Sequence, residues 1–319
     1  MKKGYTSPFD NLAPIQFAEI DEEFFNGYNI EYFDLKCLDI IQKLDAPESL
    51  YTNTLNKKFT VDGVTIENKE DIKAQDVLSY AKLDLVSTHY HCLESFMRLF
   101  IVLNKNCGCI TLSLASLESC VFRGIVKNIA KGNFSDIGSS AADAILKAFI
   151  GNNKRPESIT DKDCENWQNW VQEIAKKIVD SNANNSYKHG FYLQPNVSGV
   201  KISNEESPFV LEAKGDSLIS YTYKEKNGRK VWVKRTKLVN YGVMLTEITI
   251  VSRMIRSMIE IRKLKGTTIQ LYYPDERITY KEIEKLSINT KGISAILSNM
   301  EMELLYYQTP PKKSLKNPI

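Results

Sequence analysis

Two of the three histidines in this chain sit among polar neighbours at helical spacing, where they could move protons. His91 is preceded by Asp84 and Ser87 and followed by Glu94 and Arg98, each three or four residues from the next. That spacing places all five on one face of a helix, in a stretch whose other faces are apolar. Glu94 can accept a proton from His91 and can pair with Arg98, a contact worth about 0.2–0.5 kcal/mol on an exposed helix. The same five residues also fit a hydrogen-bonded seam inside a bundle, because buried polar groups need partners. His89 lies about 200° around the helix from His91, so the two cannot form a shared metal site there.

The second histidine closes the string Asn184-Asn185-Ser186-Tyr187-Lys188-His189-Gly190. Asn185 and His189 are four apart and share a face if the preceding helix continues through them. Neutral imidazole exchanges protons near pH 7 and Lys188 adds a positive charge, which suits a phosphate or a nucleotide. Asn is a poor helix former, so the string also reads as a frayed helix end stopped by Gly190. The functional expectation is that His91 and His189 are aimed from two helices at one cleft.

An apolar helix bearing a His/Glu pair, followed by a later helix ending in Asn-x-x-x-His, resembles the HEPN superfamily of bacterial helical bundles. The resemblance covers residues 70–190. Members active as ribonucleases share an Arg, a polar residue, then three or more residues and a His. Asn185 stands at the polar position and His189 at the histidine, but Asn184 stands where Arg is expected. The resemblance implies that His189 moves a proton while the Arg neutralises the phosphate in flight, with no metal and no cofactor. Such neutralisation contributes several kcal/mol, so Asn184 puts activity in question unless Arg98 or Lys188 supplies the charge. Arg98→Ala is then expected to abolish RNA cleavage and spare the fold. The resemblance also implies a homodimer, a bacterial defence or toxin role, and RNA as the partner. The alternative is a non-catalytic helical interaction module.

These residues need elements to position them. Apolar steps of three and four predict a helix over Ile30 to Leu44. Asp62-Gly63 between alternating residues predicts a small hairpin. A long helix is predicted from Lys69 to Leu103, one from Ile110 to Ile129, and a shorter one from Ala141 to Ile150, with Gly138-Ser139-Ser140 supplying its N-cap. Thr160 and Asp163 resemble a capping box for a helix running to Gly190 with Trp167, Trp170, Val171, Ile174 and Ile178 on one side. Strands follow at 209–213, 218–223 and 230–234, the last two joined by Asn227-Gly228. A helix from Val239 to Leu264, a strand at 267–273 and a helix opened by Thr279 and Glu282 complete the reading. The fold class expected is mainly α with a small antiparallel β-sheet (α+β). Its expected divisions are residues 1–69, a bundle over 70–190, strands and helices packed on it over 191–308, and a loose tail at 309–319.

Composition narrows the function classes. Hydrophobic residues at 43% and charged residues at 25% are ordinary globular values. Between residues 224 and 265, however, twelve Lys or Arg stand against three acids. Arg229, Lys230, Lys234 and Arg235 on the hairpin, with Arg253, Arg256 and Lys263 along the next helix, are expected to hold a phosphate backbone, with binding that weakens as salt rises. A solvated basic face balanced elsewhere is the alternative. Six scattered cysteines do not form a disulfide framework, which points to free thiols in a reducing cytoplasm. Cys107-Gly108-Cys109 lacks the second ligand pair of a zinc site. The chain has no leader-like start and no apolar run long enough for a bilayer. It also has no phosphate-binding loop, nucleophile elbow, zinc-protease or dinucleotide fingerprint, and no internal repeat.

Overall fold

Helices α1 (Pro14–Gly27) and α2 (Tyr32–Asp45), a single turn α3 (Pro47–Leu50) and the hairpin β1 (Phe59–Val61) and β2 (Val64–Ile66) lead into α4 (Ala74–Asn104), the longest element. Then come α5 (Ile110–Ser116), α6 (Ser119–Ala130), α7 (Ala141–Ile150) and α8 (Asp161–Val179). Strands β3 (Leu193–Asn196), β4 (Val200–Asn204), β5 (Ser207–Ala213), β6 (Ser217–Lys226) and β7 (Arg229–Leu238) precede α9 (Tyr241–Lys263), α10 (Tyr280–Ser287) and β8 (Asn299–Glu303). The structure, a computed structural model, describes residues 12–50, 58–67, 73–105, 108–138, 140–151, 154–180, 193–196, 200–204, 207–213, 216–263, 274, 277–287 and 299–304. The fold is mainly α with small antiparallel sheets, as the sequence predicts.

The chain divides into two compact units, residues 1–184 with 240–289, and residues 185–239 with 290–319. The first is built around α4. This helix is apolar almost all round, so it is packed on several sides. Leu85, Leu93, Phe96, Met97, Phe100 and Ile101 are buried along it, with α2, α7, α8 and α9 against it. The helix starts are set locally. Thr160 and Asp163 cap each other, Asp163 N–H donating to Thr160 Oγ1 at 3.1 Å and Thr160 N–H to Asp163 Oδ2 at 2.8 Å. Thr279 and Glu282 do the same at α10, and Ser140 Oγ accepts from the Asp143 amide at α7.

The elements differ from the sequence reading in several places, and β3, β4 and β8 are strands it does not predict. The helix expected over Ile110 to Ile129 is two helices, because Leu117 and Glu118 are extended. The break lets α6 present Phe122, Ile125, Val126 and Ile129 to the core. Helix α1 falls where the sequence reading predicts no element, and only Phe25 is buried along it. The described part of α8 ends at Val179. The strand expected at 267–273 and the loose tail lie outside the described residues.

The second unit is the β part. Strands order as β3-β6-β7-β8, antiparallel throughout, with β4 and β5 forming a separate pair. Asn227 and Gly228 take φ of 52° and 73°, the two positive angles that a tight hairpin turn with the native twist requires.

Candidate functional site

The polar stripe of α4 is present, and its members have separate tasks. Asp84 is buried, with Lys36 Nζ of α2 at 3.9 Å from its carboxylate. His91 is exposed and lies edge-on to the rings of Tyr32 and Phe33, centroids 5.8 and 5.3 Å away. Glu94 and Arg98 pair at 3.0 Å. The Arg98 guanidinium also donates to the Leu117 carbonyl at 3.0 Å and lies over the Phe122 ring at 4.5 Å. Leu117 is where α5 stops, so Arg98 holds the corner between α5 and α6. That duty conflicts with the expectation that removing it spares the fold.

The buried histidine of the unit is the neighbour. His89 Nε2 lies 2.6 Å from Glu247 Oε2 of α9, with both side chains almost fully enclosed. Lys177 of α8 donates to Glu247 Oε1, and the Tyr280 hydroxyl of α10 donates to the same oxygen at 3.2 Å. Burial pushes the Glu247 carboxyl up. The hydrogen bond and charge of His89, with those of Lys177, outweigh that and bring it down to about 2. Four helices therefore meet on one carboxylate. The sequence signal was a lone acid on the apolar side of α9, among Val243, Ile248 and Val251, since a buried charge demands a partner. The identity of that partner, 158 residues away, has no local signature. Tyr280 also walls an open cleft of about 370 Å³ whose other residues include Lys162, Glu165, Glu173 and Lys281. Its charges are mixed and favour neither sign of ligand.

The basic stretch separates into neutralised and unmatched cations. In the first unit, burial pushes Asp34 above the ordinary carboxylate range against the opposing charge of Arg253. Arg256 pairs with Glu31 at 2.8 Å and Lys263 with Glu260 at 3.1 Å. Arg262 is half-buried, desolvation lowers it to about 10, and it donates to the carbonyls of Lys147, Ala148 and Met258. It thus closes the C-terminal end of α7.

In the second unit the register assigns faces. Directly opposed residues share a face, so Tyr221, Tyr223, Glu225, Lys230, Trp232, Lys234 and Met302 lie on one side. Lys224, Lys226, Arg229, Arg235, Glu301 and Glu303 lie on the other. On that second side Lys224 and Arg235 pair with Glu301, and Lys226 with Glu303 at 2.8 Å. The hydrogen bond from Lys224, then that from Arg235, hold Glu301 below the ordinary carboxylate range. Arg229, Lys230 and Lys234 have no acidic partner among the described residues.

Of the residues singled out from sequence, His91, Glu94 and Arg98 share α4 and the four hairpin cations share one sheet. Asn184, Asn185, Lys188 and His189 lie outside the described residues. Cys109, half of the Cys-x-Cys pair, directs its thiol to Asp21 at 3.2 Å. Among the described residues no group of three or more His, Cys, Asp or Glu is placed to hold a metal ion, and no helix is long and apolar enough to cross a membrane. No protein-family model, no curated protein and no solved structure matches this chain.

Proposed function

We propose that this chain is a nucleic-acid-directed protein with a HEPN-like bundle, acting as a metal-independent ribonuclease of a bacterial defence or toxin system. The observation that carries the nucleic-acid part is the set of cations Arg229, Lys230 and Lys234, which have no acidic partner among the described residues, on a sheet where Lys224, Lys226 and Arg235 are paired to Glu301 and Glu303. Phosphate charge neutralises unmatched cations and releases counterions, so such a face favours a polyanion. The catalytic part rests on the Asn-x-x-x-His motif. His189 moves the proton, Asn185 orients it or the phosphate, and Lys188 supplies the charge that Asn184 lacks. RNA is the substrate, and two clefts meet in a homodimer.

The test is cleavage of single-stranded RNA by the full chain with a metal chelator present. Cleavage is expected to persist with chelator and to vanish in His189→Ala at an unchanged melting temperature. Cleavage retained by His189→Ala, or abolished by chelator, contradicts the catalytic reading.

A second reading, a non-catalytic helical interaction module, is favoured by the packing of His91 on two rings and by the corner held by Arg98. Both are structural tasks for residues assigned to the site. Under that reading His189→Ala lowers the melting temperature and no RNA is cut.

A further inference from the structure

The paired charges leave one side of the four-stranded sheet with a distinctive composition. Tyr221, Tyr223, Trp232 and Met302 are exposed large apolar residues, and by register all four lie on the same face. Leu304, also exposed, gives its amide to the Trp232 carbonyl at 2.8 Å, which brings it to the Trp232 row. Tyr223 and Trp232 are directly opposed on adjacent strands, their rings edge-to-face with centroids 6.0 Å apart. Lys234 is opposite Tyr221. Lys230 faces Glu225 across the strands, yet its ammonium sits over the Tyr223 ring at 4.9 Å and forms no ion pair with that acid. Acids from β8 draw Lys224, Lys226 and Arg235 of the opposite face into pairs. The face with the aromatic rings keeps its lysines without an acidic partner among the described residues.

Scattered exposed apolar residues are ordinary, but a contiguous exposed patch marks an interaction surface. We infer that this sheet face is a stacking platform for single-stranded nucleic acid, with Trp232, Tyr223 and Tyr221 receiving bases and Lys230 and Lys234 receiving phosphates. This rests on the nucleic-acid reading above and specifies its substrate as unpaired strands. Bases offer their flat faces only when unpaired, and aromatic side chains bind them with little regard to sequence. A duplex hides those faces and would reach only the cations. Successive rings on one strand, Tyr221 and Tyr223, are about 7 Å apart along the sheet, with Trp232 in the next strand. A purely apolar protein partner would leave Lys230 and Lys234 desolvated without a counter-charge.

The experiment is a titration of the full chain with a uridine homopolymer and with a duplex of equal length, read by tryptophan fluorescence and by anisotropy of labelled nucleic acid. Trp167 and Trp170 are fully buried while Trp232 is exposed, so quenching on binding reports contact at Trp232. Single strands are expected to quench and to bind more tightly than the duplex. Trp232→Ala is expected to weaken single-strand binding about tenfold or more. Trp232→Phe, which keeps a ring, restores most of it, and Lys224→Ala on the opposite face changes little. RNA binding that is equal for duplex and single strand, or untouched by Trp232→Ala and Tyr223→Ala, overturns the platform and leaves the nucleic-acid reading standing. Failure to bind any nucleic acid at low salt overturns both. A dimer that Trp232→Ala converts to monomer, with RNA affinity unchanged, assigns the face to a second copy and also overturns the proposal.

Discussion

At the scale of single residues, Glu247 has the most demanding environment. Its carboxylate is enclosed with His89, Lys177 and Tyr280 directed at it. Removing one member of a buried charged pair costs about 3–5 kcal/mol, so Glu247→Gln is expected to lower unfolding stability by that order. The pH dependence has a definite sign. The folded carboxyl titrates near 2, below its ordinary 4.5. Its stabilising contribution is therefore complete above 4.5 and is lost as pH falls from there toward 2. Urea midpoints at pH 6 and pH 3 should separate widely for the native chain and less for Glu247→Gln. An equal separation in both would contradict this account of the carboxylate. Part of this was legible, because an acid on the apolar side of α9 had to be buried or paired. The partner could not be read, since nothing local connects residues 89 and 247.

At the scale of elements, local chemistry predicted well and tertiary chemistry did not. The Thr160 and Thr279 caps, the Ser140 cap and the Asn227-Gly228 turn depend on neighbours within three residues, and all form where the sequence places them. The interruption at Leu117 depends on a guanidinium from another helix, 19 residues earlier. Apolar periodicity runs straight through that point and carries no sign of it. Arg98→Ala is accordingly expected to cost about 2 kcal/mol, the loss of charge-assisted hydrogen bonds at a half-buried corner. Denaturant unfolding measures this. Unchanged stability would return Arg98 to the role the sequence suggested, a charge held ready for the phosphate. The faces of β6 and β7 follow from period-two alternation, so the Tyr221, Tyr223 and Trp232 grouping was readable once the hairpin was recognised. Its separation from the neutralised face was not, because Glu301 and Glu303 come from a strand more than 60 residues later.

At the scale of the whole molecule, the count of twelve cations against three acids treats as one block what the fold divides between two units. The α9 portion is matched by Glu31, Asp34 and Glu260 or spent on closing α7. In the hairpin portion, Glu301 and Glu303 match Lys224, Lys226 and Arg235, and Arg229, Lys230 and Lys234 have no acidic partner among the described residues. Net charge along a sequence therefore overstates the polyanion surface, and the register of one sheet sets its true size. Mainly helical content with a small antiparallel sheet was readable from periodicity and turn residues. The sorting of charge required the three-dimensional pairing.

The most direct measurement of the central claim is the salt dependence of single-stranded RNA binding by the full chain. Three unmatched cations predict that the logarithm of the association constant falls against the logarithm of salt concentration with a slope of about −2, shallower by about 0.7 for Lys230→Ala or Lys234→Ala. A slope near zero, or no binding at low salt, would contradict it.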